Sequence, residues 1–244
     1  MRRLDVVIQT VLVALIFPFA LRAQTVDDIV SNAIMARGGA ATISGVQTEK
    51  LAGTISFGTQ RENVFEVDLK RPGRIRQRIE FNGKDFISAA DGVSGWIINP
   101  FQGDTVRPMT KDEVKNSASS AELDGPFLNY KEIGTSIKLA GRENVKGHDA
   151  YRLNVTMKDG SERSDLIDCN TFLELKWEGN VLSDGKRYKV ESYFKDYRNI
   201  KGIMIAFAID SDTPGTARSQ KIRFKSVEVN GALPDSLFAP PQHR

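Results

Sequence analysis

The sequence predicts a mainly β protein built on a single curved antiparallel sheet, with short helices at its start and middle. Three observations predict it. Short runs of alternating apolar and polar residues recur along most of the chain, as half-buried strands require. Two-residue turn signals separate them, at Asn82-Gly83, Asp91-Gly92 and Asp159-Gly160. Ten or so strands spaced about 4.8 Å apart also make a sheet about 48 Å wide, and a helix covers only about 10 Å of it. The few helices present cover less than half of such a sheet, so it must curl towards a barrel.

In chain order, residues 1–23 read as a secretory signal: Arg2 and Arg3, then a mostly apolar stretch from Val6 to Ala20, then Leu21-Arg22-Ala23 before Gln24. That stretch, about 15 residues, falls short of the roughly 20 needed to span a bilayer, so cleavage is expected rather than anchoring. Residues 24–244 are expected to form one domain. Thr25-Val26-Asp27-Asp28 has the form of a capping box with Asp in the Glu position, and Val26, Ile29, Val30, Ala33 and Ile34 follow at helical spacing until Gly38-Gly39 stops the helix. The strand series from Val46 to Phe101 comes next. Leu51, Ile55 and Phe57 oppose Lys50, Thr54 and Ser56; Phe65, Val67 and Leu69 oppose Glu66, Asp68 and Lys70; Ile75, Ile79 and Phe81 oppose Arg74, Arg76, Arg78 and Glu80. Trp96 alternates with Ile98 after the Asp91-Gly92 turn.

Thr110-Lys111-Asp112-Glu113 opens a second capping box, and the stretch to about Tyr130 lacks alternation, predicting one or two short helices. Strands resume at Ile137 and Leu139, continue through Tyr151–Met157 and Arg163–Asp168, and then place Leu173, Leu175 and Trp177 opposite Glu174 and Lys176. Two more follow around Tyr188–Phe194 and Ile203–Ile209. In the last strand Ile222 and Phe224 share one face but Val227 and Val229 the other, a slip that predicts a bulge near Lys225. Phe238 is the one anchor in the tail.

Composition narrows the function. Without residues 1–23 the chain loses three arginines and one aspartate, so Lys+Arg falls from 34 to 31 and Asp+Glu from 31 to 30. The near-neutral remainder argues against nucleic acid as a partner. One cysteine, Cys169, allows no intrachain disulfide or zinc cluster, and the two histidines lie far apart in sequence, so no metal or other cofactor is expected. No Walker loop, dinucleotide fingerprint or metalloprotease helix is present. An enzyme is therefore not expected; a polar pocket with two converging carboxylates would be its mark. The inward apolar set leaves two readings open, a filled core or a hollow for an apolar guest. The candidate lining is Leu51, Ile55, Phe57, Phe65, Val67, Ile79, Phe81, Trp96 and Ile98, and Arg74, Arg76 and Arg78 form a basic stripe that offers a headgroup or partner contact.

Several motifs, taken in order, resemble the outer-membrane lipoprotein-sorting protein family. They are Ala36-Arg37-Gly38-Gly39-Ala40, Lys70-Arg71-Pro72, Asp91-Gly92-Val93-Ser94-Gly95-Trp96 running into Ile98-Asn99-Pro100, Asp124-Gly125-Pro126 before Tyr130, Gly147-His148-Asp149-Ala150-Tyr151-Arg152-Leu153, and Tyr193-Phe194-Lys195-Asp196-Tyr197. The resemblance spans nearly all of residues 24–244. It implies an unclosed antiparallel barrel of roughly eleven strands with helices as a lid, and a periplasmic carrier for lipid or lipoprotein acyl chains; a monomer is expected, soluble because no cysteine follows the apolar stretch and no later segment is apolar enough to span a membrane, with a membrane-bound donor or acceptor as a candidate partner. It also implies an alternative, since similar folds act as envelope sensor modules that hold a membrane protein.

Overall fold

The computed structural model describes residues 24–183, 185–216 and 219–241; the signal stretch lies outside them. Thirteen strands form one antiparallel sheet, open at both edges. They are β1 (Thr48–Phe57), β2 (Asn63–Lys70), β3 (Arg74–Phe81), β4 (Lys84–Ala90), β5 (Gly95–Ile98), β6 (Val106–Pro108), β7 (Ser136–Val145), β8 (His148–Thr156), β9 (Glu162–Asp168), β10 (Glu174–Ser183), β11 (Lys186–Ile200), β12 (Ile203–Asp212) and β13 (Ser219–Val229). The order across the sheet is β6-β5-β4-β3-β2-β1-β13-β12-β11-β10-β9-β8-β7, so the two chain halves meet where β1 pairs with β13. The count exceeds the expected eleven partly because β6, three residues ending in Pro108, is too short to show a period.

Both capping boxes form. The Thr25 hydroxyl accepts from the Asp28 N–H at 3.2 Å at the start of α1 (Val26–Arg37), and Thr110 accepts from the Glu113 N–H at 3.2 Å at the start of α3 (Lys111–Ser120). Gly38 ends α1 at φ +132°, and a Cβ there would stand 2.4 Å from the Gly202 carbonyl, so only glycine fits against the β11–β12 turn. A six-residue helix, α2 (Ala40–Gly45), leads into β1.

The last strand carries the expected bulge. Ala52 pairs with Ser226 but Gly53 with Phe224, leaving Lys225 as the extra residue. A Cβ on Gly53 would lie 2.0 Å from the Arg223 carbonyl oxygen, so the bulge and the glycine require each other.

Three apolar clusters lie on the inner face. One joins β1–β4 with β12 and β13 through Leu51, Ile55, Phe65, Val67, Phe207 and Ile222. A second packs Ile29, Val30 and Ala33 of α1 on Tyr151, Leu153, Val155 and Ile167. The third closes one end of the curved sheet, where Ile43, Leu123 and Leu128 meet Val46, Ile203 and Val229. Helix α3 packs on β3 and β4 and on β10. Among the described residues no helix is long and apolar enough to cross a membrane.

Candidate functional site

At the end opposite that third cluster the inner face is left open. Strand register sets one inward row across six strands: Phe57, Gln220, Ser211, Ser192, Trp177 and Asp165. Behind it runs a second, Ile55, Ile222, Ile209 and Phe194. A hollow of about 640 Å³ opens here, lined among others by Phe57, Val181, Val190, Ser211, Thr213 and Gln220. Its size lies within the range of about 300–1,000 Å³ usual for small-ligand sites. Inward side chains near it keep part of their surface exposed: Phe57, Ile79, Phe81, Trp177, Phe194 and Ile209 are only half-buried, whereas Ile55 and Phe65 are 3% exposed. The core is thus filled at its centre and open at this rim.

Helix α3 crosses the concavity as a cover. Its Asn116 side chain donates to the Leu182 carbonyl at 2.7 Å and accepts from the Leu182 N–H at 3.3 Å, which ties it to β10. Arg107 holds the start of α3 through Glu113, and Lys115 reaches Asp159 in the β8–β9 turn at 2.8 Å. The segment after α3 is held by two arginines. Arg37 donates to the Leu123 and Asp124 carbonyls at 2.8 and 2.9 Å, and Arg71 grips the Asp124 carboxylate with both terminal nitrogens while its Nε donates to the Val46 carbonyl at 2.6 Å.

Of the candidate lining residues, Leu51, Ile55, Phe57, Phe65, Val67 and Ile79 share the first cluster, and Phe81 stacks on Phe57 with centroids 6.1 Å apart. Trp96 and Ile98 are not with them. Trp96 pairs with Ala89 and Ile98 with Ile87, which puts both on the convex face; Ile97 points inward in their place. The Trp96 indole lies under the tail, its Nε1 donating to the Phe238 carbonyl at 2.9 Å, beside a separate convex hollow that Arg74 and Asp235 also line. The basic stripe is convex too, and each member has carboxylate partners: Arg74 with Asp235, Arg76 with Asp68, and Arg78 with Glu66, Glu80 and Asp85.

The pattern does not predict a buried polar group on the inner face of β9 and β10. On β10 a bulge between Glu174 and Lys176 reverses the phase, so Glu174 pairs with inward Ile167 and Lys176 with outward Leu166. Leu173, Leu175 and Trp177 therefore do not share a face; Leu175 joins the convex cluster with Leu166 and Val145. Glu174 turns in towards Asp165, which is fully buried and ion-paired with Arg163 at 2.8 Å. Burial, followed by the neighbouring Asp165, raises the Glu174 carboxyl well above its ordinary range, with Arg163 opposing. Burial and the Glu174 charge likewise raise the Tyr197 phenol, whose hydroxyl donates to the Glu174 carbonyl at 2.8 Å. Two carboxylates do converge, then, but one oxygen of each, Glu174 Oε1 and Asp165 Oδ1, is sealed against solvent. Reversed phase on a strand of mixed polarity leaves no sequence signal except the Glu174/Asp165 charges themselves.

No protein-family model and no curated protein matches the sequence. Solved structures do match. A domain assigned to outer membrane lipoprotein sorting from Vibrio parahaemolyticus superposes with a TM-score of 0.58 at 12% identity, covering 86% of this chain and 94% of its own. A LolA superfamily protein from Nitrosomonas europaea gives 0.57 at 17% identity over 89% and 99% of the two chains. A DUF1329 family protein from Desulfovibrio piger gives 0.53 at 16%, over 88% and 97%. The open antiparallel sheet with its N-terminal helix and few further helices is thus a fold of the LolA-like lipoprotein-sorting kind.

Proposed function

We propose that the protein binds a hydrophobic ligand, a lipid or the acyl chain of a lipoprotein, in the hollow at the open rim of the sheet, and that it carries this ligand after export to the periplasm and removal of residues 1–23. The observation that carries the reading is the inner face itself: its apolar core reaches a rim that is open over about 640 Å³, where Phe57, Val181 and Val190 stand among Ser211, Thr213 and Gln220. Each acyl methylene moved there from water contributes about 0.8 kcal/mol. The cover makes few apolar contacts of its own, since none of the ten residues of α3 is buried, so it can shift at modest cost to admit a guest. Binding, not bond-making, is the role proposed. The fold likeness to lipoprotein-sorting structures supports it.

The two tryptophans give a test that also locates the site. Trp177 stands in the inward row and Trp96 on the convex face. A brominated fatty acid is expected to quench the Trp96→Phe variant, which retains Trp177, and to leave Trp177→Phe unquenched. Equal quenching of both, or none, together with no lipid on the protein in non-denaturing mass spectrometry, overturns the proposal.

A further inference from the structure

The inward row at the hollow has aromatic ends and a hydrogen-bonding middle. Gln220, Ser211 and Ser192 stand opposite one another on β13, β12 and β11, with Phe57 next to Gln220 and Trp177 next to Ser192. At about 4.8 Å per strand the three polar residues cover roughly 10 Å of the wall. Ser192 and Ser211 are 5% and 7% exposed, and their hydroxyls lie 2.8 Å apart, the only hydrogen bond that either hydroxyl makes among the described residues. Two hydroxyls carry two hydrogens and the mutual bond uses one, so one donor is left over whichever way the bond runs. Such a donor costs free energy until something accepts from it. Ser211 is the member of the pair that lines the hollow, so donation from Ser192 to Ser211 turns the spare hydrogen towards a guest. The described residues of the lining are uncharged. They suit an uncharged ligand oxygen, whereas a carboxylate is better left in water at the open rim.

We infer that the Ser192–Ser211 pair is the polar subsite of the hollow and receives the carbonyl oxygen of a glycerol ester. Ser211 donates to that oxygen, and the Gln220 carboxamide beside it serves a second ester or hydroxyl oxygen. The chain of the ester then lies against Phe57, Val181 and Val190. This inference rests on the hollow being the hydrophobic-ligand site proposed above. The ester belongs to a free glyceride or to the glyceryl group of a lipoprotein, and the chemistry that recognises it is the same.

Two probes of equal chain length test it, both brominated along the chain: a monoacylglycerol, which has the ester carbonyl, and the matching alkyl ether, which lacks it. Trp177 reports on both, because its indole lies against Gly179, whose cross-strand partner Val190 lines the hollow. In the Trp96→Phe protein the ester is expected to bind about tenfold more tightly than the ether, the size of one net hydrogen bond. Adding Ser192→Ala and Ser211→Ala removes both hydroxyls together and leaves an apolar wall, so it is expected to weaken the ester alone and bring the ratio to about one. A ratio near one before the serines are changed, or a tenfold ratio that survives their loss, overturns the inference and leaves the apolar site standing. No quenching by either probe overturns both. Should the doubly substituted wall not fold, Ser211→Ala alone is read in the same way. A diacylglyceryl-cysteine peptide, competing against the brominated ester, separates the two sources. Displacement at a lower concentration than unbrominated monoacylglycerol needs assigns the ester to a lipoprotein, and displacement only at a higher one assigns it to a free glyceride; either supports the inference.

Discussion

Replacing Arg71 with alanine removes the residue that joins three pieces of the closed end: the α2–β1 connection, the β2–β3 turn and the segment after α3. Its Nε bond to the Val46 carbonyl is short, and Val46 is 2% exposed, so the carbonyl is not readily rehydrated. A charge-assisted bond of that kind is worth about 1.5–3 kcal/mol. The Asp124 carboxylate is 39% exposed and recovers water when the guanidinium leaves, so the ion pair adds only about 0.5–1 kcal/mol. The Ile43 carbonyl, 3.3 Å from Nη2, also accepts the Val46 N–H and loses little. The total, about 3 kcal/mol, corresponds to a fall in Tm of roughly 6–12 °C for a chain of this size. Urea unfolding followed by circular dichroism measures it, and a cycle with Asp124→Ala separates the two parts. Arg71→Lys is expected to recover less than half, because an ammonium cannot span the Val46 carbonyl and the carboxylate as a planar fork does. A loss below 1 kcal/mol, or a coupling to Asp124 that accounts for nearly all of it, would refute the assignment of the Val46 carbonyl as the main anchor.

Two further perturbations follow from the same coordinates. Gly53→Ala sets a methyl group against the Arg223 carbonyl and Phe224 Cα, both backbone, so it is expected to cost about 3 kcal/mol or more in chemical denaturation; a change under 1 kcal/mol means that the β1–β13 pairing tolerates another register. Acid is expected to weaken the convex face through Glu178, whose carboxyl Lys176 and Arg152 hold down to about 2 against the opposing effect of burial. This depressed group stabilises the fold above its ordinary value of 4.5 and loses that contribution as pH falls towards 2, on the order of 3 kcal/mol. Glu178→Gln should flatten the acid limb of a Tm against pH profile, and an unchanged limb rules the network out as its source.

What the sequence reveals of this protein depends on where its period stays unbroken. From Thr48 to Phe81 the alternation is regular, and the inward residues Leu51, Ile55, Phe65, Val67 and Ile79 meet in one cluster, as a period of two requires. The capping boxes at Thr25 and Thr110 are local chemistry and need no tertiary context. The bulge at Lys225 was legible because apolar residues flank it on both sides, so the slip from Phe224 to Val227 shows as a change of phase. Trp96 misled because β5 is four residues long and apolar on both faces: Trp96 packs under Phe238 while Ile97 faces inward opposite Ser88, and so short a strand carries no phase.

The bulge at Leu175 is the more instructive failure. The order Leu173, Glu174, Leu175, Lys176, Trp177 alternates without a fault, and read as a regular strand it turns both charges to solvent. The extra residue instead sends Leu175 to the convex cluster and Glu174 inward, where a carboxylate would be expensive if it stood alone. It does not stand alone. Asp165 on the neighbouring strand occupies an inward position beside Arg163, and the bulge places a third ionisable group against that pair. A bulge of this kind re-aims one side chain without disturbing the ladder on either side. The apolar core therefore follows from the alternation, whereas the buried polar group on β9 and β10 arises where the alternation is locally reversed, and the pairing of β9 with β10 records that reversal.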